Sequence, residues 1–289
     1  MVNLLNLAPD EKIADCKAVK DFDLPGHFLI MATKKGLVKK TDLAAYRRPL
    51  KAGMIAIKLK EGDELIDVGV CARGDEIVLS TANGMAIRFR QSDVRPMGRN
   101  ASGVKGISLR KGDSVVGMVL ADENATLLTV CENGYGKRTP FGPNAPALAQ
   151  EDVLPEGGLE DDADESLTEP SVTEPSDLET DDSDEVNSAR SYRVQRRGGG
   201  GVRDIKASKR NGTVIGILRV DDDDEMMMMT ARGKLQRIAV DGISVVGRNT
   251  QGVRIMNLDD GDSLVAIKRI PKEEKVEDDV PTDEPASEA

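Results

Sequence analysis

The chain is poor in the residues on which most chemistry and many cores depend. Aromatics are 2% of its 289 residues, with no Trp, and there is one histidine, His27. So few rings disfavour a single-stranded nucleic-acid platform, which stacks bases on aromatic side chains. A lone His with no ligand or triad partner in sight argues against general-base catalysis by His. The three cysteines, Cys16, Cys71 and Cys131, are odd in number and form no CxxC pattern. Each lies in or beside an apolar stretch and reads as a buried free thiol of a reducing compartment. No apolar run approaches the ~20 residues of a membrane span, and Asp10 and Glu11 fall where a secretory h-region would be apolar. A cytoplasmic protein with no membrane partner is expected. No Lys-Ser/Thr follows a glycine-rich loop, which excludes a nucleotide P-loop.

The net charge of −11 is at first sight wrong for a nucleic-acid binder. It is unevenly placed. Residues 151–189 hold 16 acids and no Lys or Arg, and the tail 271–289 holds 8 acids and 2 bases, which leaves 27 acids and 38 bases elsewhere. Segments so acidic and so short of apolar residues are expected to be disordered. The remaining body carries +11 and favours a polyanionic partner.

That body is periodic. One set of glycines, Gly36, Gly84, Gly134 and Gly233, is spaced 48, 50 and 99 residues apart; Gly53, Gly103, Gly201 and Gly252 are spaced 50, 98 and 51. A third set, Gly62, Gly112, Gly212 and Gly261, repeats the pattern. The doubled interval marks an insert inside the third unit. Apolar runs such as Ile77-Val78-Leu79 enter Asn83-Gly84, and Leu127 to Val130 enter Asn133-Gly134. Asn-Gly suits a two-residue type I′ hairpin, because both residues tolerate positive φ. Helical periodicity is absent apart from a weak case at 41–46. Four-stranded repeats of this length are propeller blades, so the fold class is all-β, a pinwheel-like disc. The boundaries are a truncated half-blade at 1–26, a body at 27–141 and 190–270, an acidic insert at 142–189 and an acidic tail at 271–289.

A base follows each first-turn glycine by four residues, at Lys40, Arg88, Arg138 and Arg237, with Lys39 and Lys137 one position earlier in two units. Such recurrence predicts a positive band on one rim, rather than outward bases kept for solubility. The loop after the second strand is basic and contains glycine in every unit. Its members include Arg47, Arg48 and Lys51; Arg99, followed by Lys105; Gln195, Arg196, Arg197, Gly198, Gly199, Gly200 and Gly201, followed by Arg203; and Arg248, followed by Arg254. Arg can grip phosphate in a bidentate fork, and glycine lets backbone N–H groups approach the same oxygens. These residues are the candidate duplex-DNA contacts. Asp221 to Asp224 with Glu225 is read as a solvated turn in preference to a metal cluster, and Met226 to Met229 as core in preference to a copper site. No metal, cofactor or catalytic residue is expected.

Gln195 to Gly201, QRRGGGG, resembles the QRRGGKG box of DNA gyrase A subunits, with Gly200 at the position of the Lys. "ATKKGLVKKT", "AIKLKEGDELI", "NGYGKRT" and "VVGRNTQGVR" are similar to the C-terminal domains of the same family. The resemblance covers nearly the whole chain outside the insert and tail. It implies a β-pinwheel that wraps duplex DNA and supports negative supercoiling, with ATP and Mg²⁺ held by other parts of the holoenzyme. Its partners would be duplex DNA and the remainder of the gyrase A subunit, together with the gyrase B subunit, at the nucleoid. The family places its box in the first blade, whereas this one lies in the third complete unit, and the family runs on upstream, so a fragment is expected. Tyr46, Tyr135 and Tyr192 have no winged-helix context, so no DNA cleavage is expected. The alternatives are the corresponding domain of topoisomerase IV, set apart by the box, and a propeller scaffold for proteins.

Overall fold

The computed structural model describes residues 13–48, 53–143 and 190–272. The acidic insert beyond residue 143 and the tail beyond residue 272 lie outside the described residues. The described residues are all-β, arranged as four antiparallel sheets.

Blade one runs β3 (Leu65–Ala72), β1 (His27–Thr33), β2 (Leu37–Asp42), β6 (Val104–Lys105). Blade two runs β7 (Val115–Leu120), β4 (Glu76–Thr81), β5 (Met85–Arg90), β10 (Val202–Arg203). Blade three runs β11 (Val214–Val220), β8 (Thr126–Cys131), β9 (Tyr135–Pro140), β14 (Val253–Arg254). Blade four has β15 (Leu264–Ile270), β12 (Glu225–Thr230) and β13 (Leu235–Ala239). The short outer strand of each of the first three blades comes from the next unit along the chain. β3, β7, β11 and β15 line a central cavity of about 730 Å³ together with Ala14, Asp15 and Lys17.

The cores lie between blades. Ile77 and Leu79 of β4 pack with Phe28, Ile30 and Val38 of blade one. Val78, pointing the other way, packs with Leu127, Cys131 and Tyr135 of blade three. Alternation puts successive residues on opposite faces, and both faces are covered, which is why such strands read as unbroken apolar runs.

The hairpin turns differ from the expected type I′. Among the described residues no non-glycine has positive φ, so Asn83 and Asn133 do not; Gly84 and Gly134 alone do, each at φ +78°. The loop is three residues long, closed by Gly84 N–H donating to Thr81 O at 2.9 Å, the form in which glycine takes the left-handed position after an ordinary turn. The weak helical segment is a 3₁₀ turn, Leu43–Tyr46. Residues 13–26 hold no strand; Asp15 accepts Val68 N–H at 3.2 Å.

Candidate nucleic-acid interface

The four-residue series is not a rim. Lys40, Arg88 and Arg138 are 3%, 1% and 4% exposed, and Lys39 and Lys137 are fully buried. β2, β5 and β9 are interior strands, covered by the outer strand and loop of the next unit, so their long cations turn onto carbonyls. Lys40 Nζ donates to Gln91 O at 2.9 Å and lies 4.6 Å from the centre of the Phe28 ring. Arg88 donates to Phe141 O at 2.6 Å and Tyr192 O at 3.1 Å, and pairs with Glu76 at 2.6 Å. Arg138 donates to Ile243 O at 2.8 Å and pairs with Asp222. Lys39 donates to Ala56 O and, at 2.7 Å, to Arg99 O; burial, with the Arg99 charge, pushes its ammonium down to about 8. Lys137 pairs with the buried Asp204 at 3.1 Å. These five cations join blades and are unavailable to phosphate. Arg237, on β13 of blade four, is exposed but pairs with Glu225.

A different series occupies the outer edge. Lys105, Arg203 and Arg254 stand two residues after Gly103, Gly201 and Gly252, one on each of β6, β10 and β14, and all three are exposed. The short ladder fixes their register: Leu37 opposite Lys105, Met85 opposite Arg203, Tyr135 opposite Arg254. Among the described residues Arg203 reaches only Asn249 Oδ1 at 3.3 Å, and Arg254 reaches Asn257 Oδ1 and the Tyr135 hydroxyl. Along with Arg210, Arg254 holds the Tyr135 phenol below its usual range by hydrogen bonding. In the sequence these three stand out only as single candidates; their fixed distance from the second glycine is the signal that they form a set.

The glycine-rich loop enters this edge. Gln195 N–H donates to Arg88 O at 2.7 Å, and Gly198 N–H to Gly106 O at 2.8 Å, which seats the loop on the preceding unit. Arg197 is half-buried, donating to the carbonyls of Asp93 and Lys105. Arg196 is exposed and makes no side-chain hydrogen bond or ion pair among the described residues. Gly199 and Gly200 are exposed, with nothing within 4 Å of a Cβ added at Gly200. Gly201, at φ +73°, passes the Ala86 carbonyl so closely that a Cβ would lie 2.5 Å from its oxygen. Arg48 is exposed, and Arg47 is exposed but pairs with Asp23 at 2.9 Å. Arg99 is half-buried against Met54, and Arg248 is largely buried, donating to Arg203 O at 2.9 Å, its charge disfavoured chiefly by burial. Lys51 lies outside the described residues.

Three other readings change. Asp221 to Asp224 is not a merely solvated turn, for its carboxylates pair with Arg219, Arg269, Arg138 and Lys272. Met226 and Met228 are core, but Met229 is 44% exposed. Cys71 and Cys131 are buried, and burial pushes both thiols up to about 12; Cys16 is exposed. Tyr192 is buried and donates to Asp204 at 2.6 Å.

Comparison with known proteins agrees with this architecture. The family described as DNA gyrase C-terminal domain, beta-propeller, matches residues 27–72, 75–122, 187–221 and 224–271, intervals that coincide with the four units. The chain is 36% identical over 276 residues to the DNA gyrase A subunit of Staphylococcus epidermidis, covering 95% of this chain and 26% of that protein. It is 37% identical over 270 residues to the DNA gyrase A subunit of Escherichia coli, covering 93% and 25%. It therefore spans about a quarter of the length of these relatives. Among solved structures, a DNA gyrase A C-terminal domain superposes with a TM-score of 0.68 at 26% identity, covering 92% of this chain and 73% of that one. A topoisomerase IV C-terminal domain gives 0.71 at 21% identity, covering 93% and 69%, a likeness of fold. With its blades matched one by one, the chain belongs to the family of DNA gyrase C-terminal β-propeller domains.

Proposed function

We propose that the chain binds and wraps duplex DNA without sequence preference, as a module of a type IIA topoisomerase of the gyrase kind acting at the nucleoid. The observation that carries this reading is the exposed cation repeated on the outer strand of successive blades, at Lys105, Arg203 and Arg254. Arg196 and the exposed glycines Gly199 and Gly200 lie just before the middle member. Phosphate is met at a repeating interval by charge on rigid strands, and no base edge is read. Bending a short duplex around the edge costs on the order of 1–6 kcal/mol, which several such contacts must offset. Gyrase is favoured over topoisomerase IV by the QRRGGGG loop and by 36–37% identity to gyrase A subunits. Strand cleavage and ATP hydrolysis would belong to the gyrase B subunit together with the remainder of the gyrase A subunit.

The test is the salt dependence of duplex binding. With about 6 phosphates neutralised, log K falls with log salt at a slope near −5. Replacing Lys105, Arg203 and Arg254 together by Gln should flatten that slope by about 2.7 and weaken all sequences alike. An unaltered slope removes the outer edge as the contact surface.

A further inference from the structure

Blade three departs from its neighbours at two points that the sequence repeat does not mark. The turn before β11 is longer: Ile205 and Gly212 are seven residues apart, whereas Ile57 and Gly62, Ile107 and Gly112, and Met256 and Gly261 are five apart. The longer turn is fastened from both sides. Asn211, fully buried, accepts Ser208 N–H at 2.8 Å and donates to the carbonyls of Lys206 and Gln251, each at 3.2 Å. Asn133, in the β8–β9 hairpin, donates to the carbonyls of Lys209 and Arg210, again at 3.2 Å. Two asparagines thus fix the backbone that carries Lys206, Lys209 and Arg210, all three exposed.

The second departure is on the ladder. Lys105 stands opposite Leu37 and Arg203 opposite Met85, but Arg254 stands opposite Tyr135. Tyr135 is buried, and its hydroxyl accepts from Arg254 at 2.9 Å and from Arg210 at 3.2 Å. The guanidinium carbons of Arg254 and Arg210 lie 5.3 and 5.1 Å from the centre of its ring. Two like charges therefore converge on one neutral oxygen. Among the described residues neither pairs with a carboxylate, and the one further bond is from Arg254 to Asn257 Oδ1 at 3.4 Å. A guanidinium carries more N–H donors than these bonds use. An anion seated against both would also relieve their repulsion.

We propose, on the basis of the duplex-binding function above, that Arg210 and Arg254, yoked by the Tyr135 hydroxyl, form a two-arginine seat for backbone phosphate. Phosphate suits the seat because its oxygens accept from two guanidiniums at once, each in a planar fork. Arg210 thereby joins the contacts of the outer edge. Tyr135 is a positioning residue: it does not grip the phosphate but sets the angle of the two arginines that do. The other built edges offer no such seat, since Lys105 and Arg203 each face an apolar residue. Lys206 and Lys209 add charge beside the seat from the same fastened turn.

Phenol titration of the full chain, followed by ¹³C NMR of labelled tyrosine, tests this. Burial raises the phenols of Tyr46 and Tyr192, while hydrogen bonds from Arg210 and Arg254 lower that of Tyr135, so Tyr135 ionises first. Phosphate on the arginines offsets their charge, so duplex DNA should move that first step to higher pH. Inorganic phosphate at equal ionic strength should move it less. Arg210→Gln, at an exposed position, should weaken duplex binding roughly tenfold. Tyr135→Phe should weaken it as well, but add nothing in the Arg210→Gln background, a coupling that a mere loss of stability would not produce. A first step unmoved by bound duplex overturns the proposal, as does a larger shift with inorganic phosphate. Affinity that Arg210→Gln leaves unchanged, or strictly additive losses, overturn it equally. Absence of duplex binding by the unaltered chain would instead remove the function itself, and the seat with it.

Discussion

Burying an arginine costs several kcal/mol of desolvation unless its charge and its N–H groups are all met. Arg88 satisfies that condition with Glu76 and with the carbonyls at the two ends of the acidic insert, Phe141 and Tyr192. Its role is to close the base of an insertion. Arg88→Met should lower stability by about 3–5 kcal/mol, because Glu76 is left charged and buried. Glu76→Gln added to it should recover part of the loss, a coupling that urea titration of the single and double variants would measure. Asp67 is strained in the opposite sense. Burial raises its carboxyl from 3.8 to about 6, against the pull of Lys17 and of the Met118 N–H. A group raised in the folded state gives stability that is full below its unfolded value and is lost as pH rises through its folded value. The stability gained by Asp67→Asn should therefore be small near 3.8, grow towards 6 and level off above it. A pH-independent difference in urea midpoint across that window would remove the assignment.

At the scale of the element, the glycine turns decide how blades join. Gly84→Ala and Gly233→Ala impose the same left-handed strain, about 1–2 kcal/mol. Only the first also drives a methyl into a backbone carbonyl, 2.3 Å away. Gly84→Ala should therefore lower the melting temperature of the isolated chain clearly more than Gly233→Ala does; equal losses would mean that the crossing outer strand contributes little. These glycines are also what makes the fold legible, since three sets at one period give blade number and the place of the insert. Strand exchange is not legible. Val104, Val202 and Val253 carry no local mark of pairing with the preceding unit, and that partner lies some 65 to 120 residues earlier. The misread cations follow from the same gap. Lys40, Arg88 and Arg138 look outward only if β2, β5 and β9 are edge strands, and the exchanged strand makes them interior. The Gln195–Gly201 stretch is legible as a loop, because glycine and arginine density needs no knowledge of partners.

At the scale of the whole molecule, two charge populations of one chain confront each other. The body carries +11, while residues 151–189 carry −16 and the tail −6. Phe141 and Tyr192, the stems of the insert, are bonded to each other at 3.2 Å, and Gln195 follows three residues later. The two ends of the insert are thus held beside the loop that holds Arg196, and what is tethered there has an effective concentration independent of dilution. If the carboxylates compete with phosphate for the same cations, salt screens that competition within about 8 Å at physiological strength. Deleting 151–189 should therefore tighten duplex binding most at low salt, with the gain shrinking as salt rises; deleting the tail, with its smaller charge, should do the same more weakly. The measurement is a pair of affinity curves against salt for the full and shortened chains, which should converge at the high-salt end. Curves that coincide at low salt, where carboxylate and phosphate compete hardest, would reduce the insert to a spacer.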